Sequence, residues 1–232
     1  MGRLVLVFVL LVALLISLSN SLALYVDWLW FGEVGYQAVF TTILLTQALV
    51  GGLFGVVFFL VFFANVYLAG RHQRYWGTVD TLVLLRFAEP LRSHLGRIVG
   101  GVSGVLTLIA ALGGSTHWES YLLFRQAVPF KQTDPLFGKD LGFYIFELLF
   151  LTYLQEWLVG LLLFATVGAG ALYFLTHGIV IGPRTVHVER QARLHLGLLA
   201  TVLIGAKAWG YQLDAYELLY SRRGVVFGAV YA

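Results

Sequence analysis

The sequence has no cysteine, one methionine, four prolines and few charges. Without cysteine there are no disulfides, no thiolate metal sites and no thiol nucleophile. Charged residues make up 12% of the chain, against roughly 25% in an ordinary globular domain. Fifteen basic and twelve acidic side chains cannot furnish a polar shell for 232 residues that are 59% hydrophobic with a mean hydropathy of +0.85. A water-soluble fold is therefore not expected. The composition predicts an all-α fold, a polytopic transmembrane helical bundle with about five spanning helices plus interfacial helices. The net charge is only +3, and the arginines are scattered between apolar runs rather than gathered in a stripe, so no nucleic-acid partner is expected.

Crossing ~30 Å of hydrocarbon takes about 20 apolar residues. Leu4–Val26 is one such run, and Ala38–Ala69 is a second; neither contains a charge. The second would be ~48 Å long at 1.5 Å per residue, so it must tilt or project. The third, over residues 98–114, is short and glycine-rich. The fourth lies within residues 143–176 and reads as two pieces. Phe143–Tyr153 carries Glu147 and is followed by Glu156, and a carboxylate at mid-bilayer costs ~2.5–3.5 kcal/mol. Residues 143–153 are thus expected as an interfacial lead-in and 157–176 as the span. The fifth, 194–213, contains Lys207. Together these give a bundle over residues 1–213 and an extracytoplasmic segment over 214–232. The first run has a rival reading as a cleaved signal peptide, with Arg3 before it and Ser17, Ser19 and Ser21 near its end. The apolar run continues through Leu22, Ala23, Leu24 and Tyr25, which favours a retained helix.

The loop charges set an orientation. Arg3, Arg71, Arg74, Arg86, Arg92, Arg97, Arg184, Arg190 and Arg193 fall on one side, and Arg125, Lys131, Lys139, Arg222 and Arg223 on the other. Nine against five predicts a cytoplasmic N-terminus, with the chain emerging outside after Leu213. Aromatic clusters at Tyr25, Trp28, Trp30, Phe31 and Tyr36, and at Trp118, Tyr121 and Phe124, suit the outer headgroup level. In the inner loop, Leu82, Leu85, Arg86 and Glu89 form an amphipathic stretch expected to stop near Pro90. It reads as an anionic-leaflet contact or as ordinary loop chemistry. In the outer loop, Thr116 and Glu119 have capping-box spacing, Asp134-Pro135 is a turn signal, and Gly138 and Gly142 permit unusual dihedrals. Lys131 and Lys139 can pair with Asp134 and Asp140, and the segment reads as an interfacial hairpin-like lid.

No nucleotide-binding P-loop, H-E-x-x-H or G-x-S-x-G pattern is present. His187 and His195, eight apart, could share a helix face, but beyond Glu189 nothing completes a ligand set, so neither metal nor cofactor is expected. His117, Glu119, Asp134 and Asp140 are the group nearest to a catalytic cluster, and ordinary loop solvation accounts for them; catalysis is not expected. Lys207 is the most informative residue, because an ionisable group inside a span is a functional candidate. It can snorkel toward Asp214, ~10 Å along the helix, pair with Glu147 or Glu156, or join Asn65 and Gln47 in a polar path. Gly51-x-x-x-Gly55 and Gly100-x-x-x-Gly104, with Gly168 and Gly170, have close-packing spacing, expected within the chain first and between chains second.

Three motifs in order carry a family resemblance: DWLWFGEVGYQAVFTTILLTQ (Asp27–Gln47), DPLFGKDLGFYIFELLF (Asp134–Phe150) and KAWGYQLDAYELLYSRRGVVFGAVYA (Lys207–Ala232). They resemble uncharacterised protein family UPF0182, multi-pass membrane proteins of bacteria. Leu149 departs from the pattern, where a proline is expected, which touches local geometry only. The resemblance implies a bacterial inner-membrane location and a longer protein, with further helices and a large extracytoplasmic region, of which this chain is the N-terminal part. It implies no catalytic residues. The expected role is a non-enzymatic anchor or assembly component for an extracytoplasmic domain or partner chain. The alternative is a transporter or channel subunit with Lys207 in its path. The expected partners are the lipid bilayer and other membrane-protein chains or a second copy.

Overall fold

A computed structural model of the chain describes residue 18 and residues 21–71, 82–176, 178–181 and 185–220. The chain folds as two compact units, Met1–Leu49 and Val50–Ala232. Residues 21–33 are helical (α1). There follow α2 (Gln37–Arg71), α3 (Leu82–Ser115), α4 (Trp118–Arg125), a π-helical turn (Phe143–Glu147) running into α5 (Leu148–Leu175), strands β1 (Ile179–Ile181) and β2 (Val186–Val188), and α6 (Arg190–Glu217) ending in a 3-10 turn (Leu218–Tyr220). Gln37–Arg71, Gly96–Ser115, Phe143–Leu175 and Arg190–Tyr220 are long and apolar enough to cross a membrane. The architecture is all-α and membrane-like, apart from one antiparallel ribbon with Val180 opposite His187. Most of the first expected span lies outside the described residues, as do residues 72–81, residues 221–232 and the side chains of residues 82–93 and 95.

Several boundaries differ from the sequence reading. In the first unit, α1 runs past Val26 to residue 33 instead of opening a loop at Asp27. Its stop is a Schellman turn: Gly35 adopts φ 78°, its N–H donates to the Gly32 carbonyl, and the Tyr36 N–H donates to the Phe31 carbonyl. In the second unit, the expected stop at Pro90 is absent, and α3 is continuous through it. A proline deletes a single backbone donor, and the remaining bonds of the 34-residue helix carry the chain past it. The lead-in and the span over 143–176 are one helix; the π-turn inserts the extra residue without breaking the ladder. Likewise α6 continues beyond Leu213, placing Asp214 inside the helix.

The core of the second unit is a seam between α5 and α6. On α6, the buried Ala192, Leu199, Ala206 and Leu213 recur every seventh residue, and Leu196, Leu203 and Gly210 follow four residues after the first three. On α5, Leu148, Gln155, Leu162 and Ala169 keep the same period, interleaved by Thr152, Val159, Thr166 and Tyr173. This alternation of four and three is the spacing of a coiled-coil interface. Its small members, alanine and glycine, let backbones approach where lipid supplies no hydrophobic drive. α2 is apolar all round, so its pattern alone does not select a buried face. Its Val50, Phe54, Phe58, Phe62 and Val66, each one turn after the last, form a buried stripe. Phe54 sits edge-on to Trp157 of α5, with centroids 4.7 Å apart.

Glycines set the approach of α2 to α3. A Cβ at Gly51 would lie 2.7 Å from the Ala111 carbonyl oxygen, and one at Gly55 would lie 2.9 Å from the Ala111 Cβ. Gly114 makes the same room for Phe54. Gly100 and Gly104 face open space, with no atom within 4 Å of a Cβ built there. Gly168 receives Phe62 and Val66, and a Cβ at Gly210 would meet the Gln155 amide at 2.6 Å. Gly51→Leu and Gly210→Leu should therefore each cost about 1–3 kcal/mol through overpacking, read as a lower melting temperature in detergent. Gly197→Leu, at an exposed position with no atom near its Cβ, should change it little.

Candidate functional site

Among the described residues of the second unit, side-chain hydrogen bonds between elements and within the α4–α5 loop gather at three places. The first is the loop between α4 and α5. An antiparallel bridge pairs Thr133 with Asp140, the Asp134 N–H donates to the Lys139 carbonyl (2.8 Å), and the Leu141 N–H donates to the Gln132 carbonyl (2.8 Å), so the loop is a hairpin. Pro135 follows Asp134 into the turn, as its fixed φ favours. Two carboxylates organise the hairpin. Asp134, buried, accepts from the N–H groups of Leu136 (2.9 Å), Phe137 (2.6 Å) and Lys139 (2.9 Å) and from the Tyr144 hydroxyl (2.8 Å). Asp140 accepts from the N–H groups of Phe130 (2.9 Å), Lys131 (2.8 Å) and Gly142 (2.7 Å).

These amides replace the lysine–carboxylate pairs expected from the sequence. Lys139 instead places its Nζ 5.2 Å from the ring centroid of Phe143 and 5.9 Å from that of Tyr216 on α6. Gly138 uses its freedom at φ 65°, whereas Gly142 is helical and is needed for space: a Cβ there would lie 2.5 Å from the Val128 carbonyl oxygen. The capping box does not form. Thr116 turns back to donate to the Gly113 carbonyl (2.7 Å), and His117 at the N-cap of α4 makes no side-chain cap bond. Its ring stacks on Tyr153.

The second place is the far end of the same helices. The Tyr173 hydroxyl lies 3.0 Å from His195 Nδ1, and His195 Nε2 lies 2.9 Å from Asn65 Oδ1. Asn65 Nδ2 donates to the Val61 carbonyl (2.7 Å), which leaves Oδ1 as acceptor. Nε2 must then carry the imidazole proton, and Nδ1 accepts from Tyr173. Three helices are tied together by one histidine. The third place is the middle of the seam and its hairpin end, where Gln155 Nε2 donates to the Ala206 carbonyl (2.9 Å) and Thr152 Oγ1 donates to Glu217 Oε1 (3.0 Å).

The residues singled out from sequence are placed apart. Lys207, Glu156 and Asp214 are exposed, Glu147 is half-buried in the π-turn, and no hydrogen bond joins Lys207 to any of the other three. Leu149, the departure from the family pattern, is the second residue of α5 and exposed. His187 stands on β2, before α6 begins, so it shares no helix face with His195. Among the described residues no three of His, Asp and Glu lie close enough to hold a metal. The Asn65–His195–Tyr173 knot escaped the sequence reading as a unit. Equal depth was the available signal: Asn65 is six residues before the end of α2, His195 five after the start of α6, and Tyr173 two before the end of α5.

Two outcomes test this geometry. A double-mutant cycle on Asn65→Ala and His195→Ala should show a coupling of about 0.5–3 kcal/mol in thermal or denaturant unfolding. For the hairpin, desolvation pushes the Asp134 carboxyl up, but the Phe137 amide, the Tyr144 hydroxyl and the Lys139 and Leu136 amides hold it below the ordinary 3.8. The Phe130 and Gly142 amides, against a smaller desolvation, do the same for Asp140. Both folded values are lowered, so the carboxylates' stabilisation is complete at pH values above 3.8 and is lost as the pH falls through the folded values. Exchange of the Leu136, Phe137 and Lys139 amides, normalised to the intrinsic rate, should be flat from pH 8 to pH 5 and rise only in that acid window. Asp134→Asn should raise it at neutral pH.

The chain resembles proteins of several bacteria. A UPF0182 protein of Saccharopolyspora erythraea is 36% identical over 222 residues, covering 94% of this chain and 23% of the relative. One from Mycobacterium marinum is 37% identical over 214 residues, covering 92% and 22%. One from Cupriavidus necator is 36% identical over 239 residues, covering 100% and 26%. The chain thus spans about a quarter of the length of the curated relatives it matches. No solved structure matches it. The family described as uncharacterised protein family UPF0182 matches residues 4–232, and the chain belongs to that family.

Proposed function

We propose that the chain is a non-enzymatic membrane anchor and assembly component, holding an extracytoplasmic domain or partner chain at the bacterial inner membrane. The observation that carries this reading is the destination of the polar side chains. Gln155, Thr152, His195, Asn65 and Tyr173 bond across helix–helix contacts, and Asp134 and Asp140 bond the backbone of their own hairpin. These are the bonds of a scaffold, which fix register and present a shaped end. The relatives, about four times longer, supply chain for such a scaffold to hold.

The orientation proposed has the N-terminus in the cytoplasm. Asn65, Tyr173 and His195 meet at one end of the second unit, with Arg71, Arg190 and Arg193 nearby in sequence; the hairpin meets Tyr216 at the other. A basic end facing the cytoplasm follows the positive-inside rule. Because the sequence has no cysteine, single cysteines at Arg71 and Lys131 can be labelled without background. Impermeant maleimide should reach Lys131→Cys from the outside of intact cells and Arg71→Cys only after lysis, and labelling of both from one side would reverse or remove the proposed topology. For the role itself, extraction from native membranes into nanodiscs should give a defined complex heavier than the 25.8 kDa chain. A lone monomer would count against it, and a solute flux abolished by Lys207→Met in a folded protein would replace the anchor with a transport path.

A further inference from the structure

The hairpin between α4 and α5 combines two properties rarely found together in a water-facing loop. Nine of its backbone donors are consumed internally: the N–H groups of Phe130, Lys131, Leu136, Phe137, Lys139 and Gly142 go to the two carboxylates, and those of Asp134, Gly138 and Leu141 go to hairpin carbonyls. Three of its most outward side chains are apolar: Val128 is 62% exposed, Phe130 51% and Leu136 56%; Lys131, Gln132, Thr133 and Lys139 are exposed beside them. A loop in water can leave amides to the solvent. A loop entering a lipid layer gains by satisfying them, because each unsatisfied amide in hydrocarbon costs several kcal/mol.

The position fits the same partner. Asp140 stands three residues before Phe143, the first residue of a candidate span. Phe130 stacks on Phe146 of the π-turn, with centroids 5.9 Å apart and planes 13° apart. This joins the apolar side of the hairpin to the exposed Ile145 and Leu149 of the helix below. The charges of Lys131 and Lys139 formally balance those of Asp134 and Asp140, so the segment carries no net charge into the layer.

We propose that this hairpin is a lipid-docking element: Val128, Phe130 and Leu136 insert into the interfacial layer of the bilayer, held in shape by Asp134 and Asp140. The inference rests on the chain spanning a membrane, and the test separates the two. Leu136→Cys and Val128→Cys are spin-labelled one at a time, the protein is reconstituted in phosphatidylcholine–phosphatidylglycerol vesicles, and accessibility to oxygen and to a water-soluble nickel chelate is measured. Leu163→Cys, on the exposed face of α5, is the depth control. Both hairpin labels should lose nickel accessibility several-fold relative to free label in buffer, while remaining shallower than the label at Leu163. Hairpin labels as open to nickel as free label, with Leu163 deep in lipid, would overturn the docking proposal and leave the membrane reading standing. Nickel access at Leu163 as well would overturn both.

Discussion

The rest of the second unit depends on the antiparallel contact between α5 and α6. In lipid, two apolar helices gain little by touching, since the tails they displace are as apolar as leucine. Close packing and specific polar bonds must supply the preference. Alanine and glycine at Ala169, Ala192, Ala206 and Gly210 bring the backbones near, and Gln155 then reaches the Ala206 carbonyl from a buried position. A polar residue at a seam position selects one alignment among several of similar packing energy. Once Gln155 faces Ala206, Thr152 falls opposite Glu217 and Tyr173 opposite His195.

From that alignment the two ends acquire their character. At one end the histidine accepts from α5 and donates to α2, so α2 is located by a hydrogen bond as well as by its phenylalanine stripe. At the other end Tyr216 of α6 meets Phe137 and Phe143 edge-on, at 5.1 and 5.4 Å. The hairpin therefore leans on the seam as well as on its own carboxylates.

Membrane class and helical build were legible because they follow from composition and from unbroken apolar length. The boundaries were less so, for identifiable reasons. Pro90 and Glu147 were read by their individual costs, whereas a helix of over 30 residues averages such costs over its whole ladder. The buried face of α2 could not be read from an all-apolar segment. The glycine spacing alone could not separate Gly51 and Gly55, which meet α3, from Gly100 and Gly104, which face open space. The hairpin was the most readable local feature, since Asp-Pro and two glycines determine a turn by chemistry close in sequence. The destination of its carboxylates was not, because backbone amides compete for them silently at every position.

The seam helices are long. Phe143–Leu175 has 33 residues and Arg190–Tyr220 has 31, so they measure ~50 and ~46 Å at 1.5 Å per residue. A bilayer with its headgroups is ≈ 40–45 Å thick. The excess has to be taken up by leaning or by standing proud, and the interlocked pair must do either as one body. Bilayer thickness thus becomes a mechanical input: a thinner membrane would rock both helices together and carry the hairpin with them, whereas a thicker one would let them stand upright.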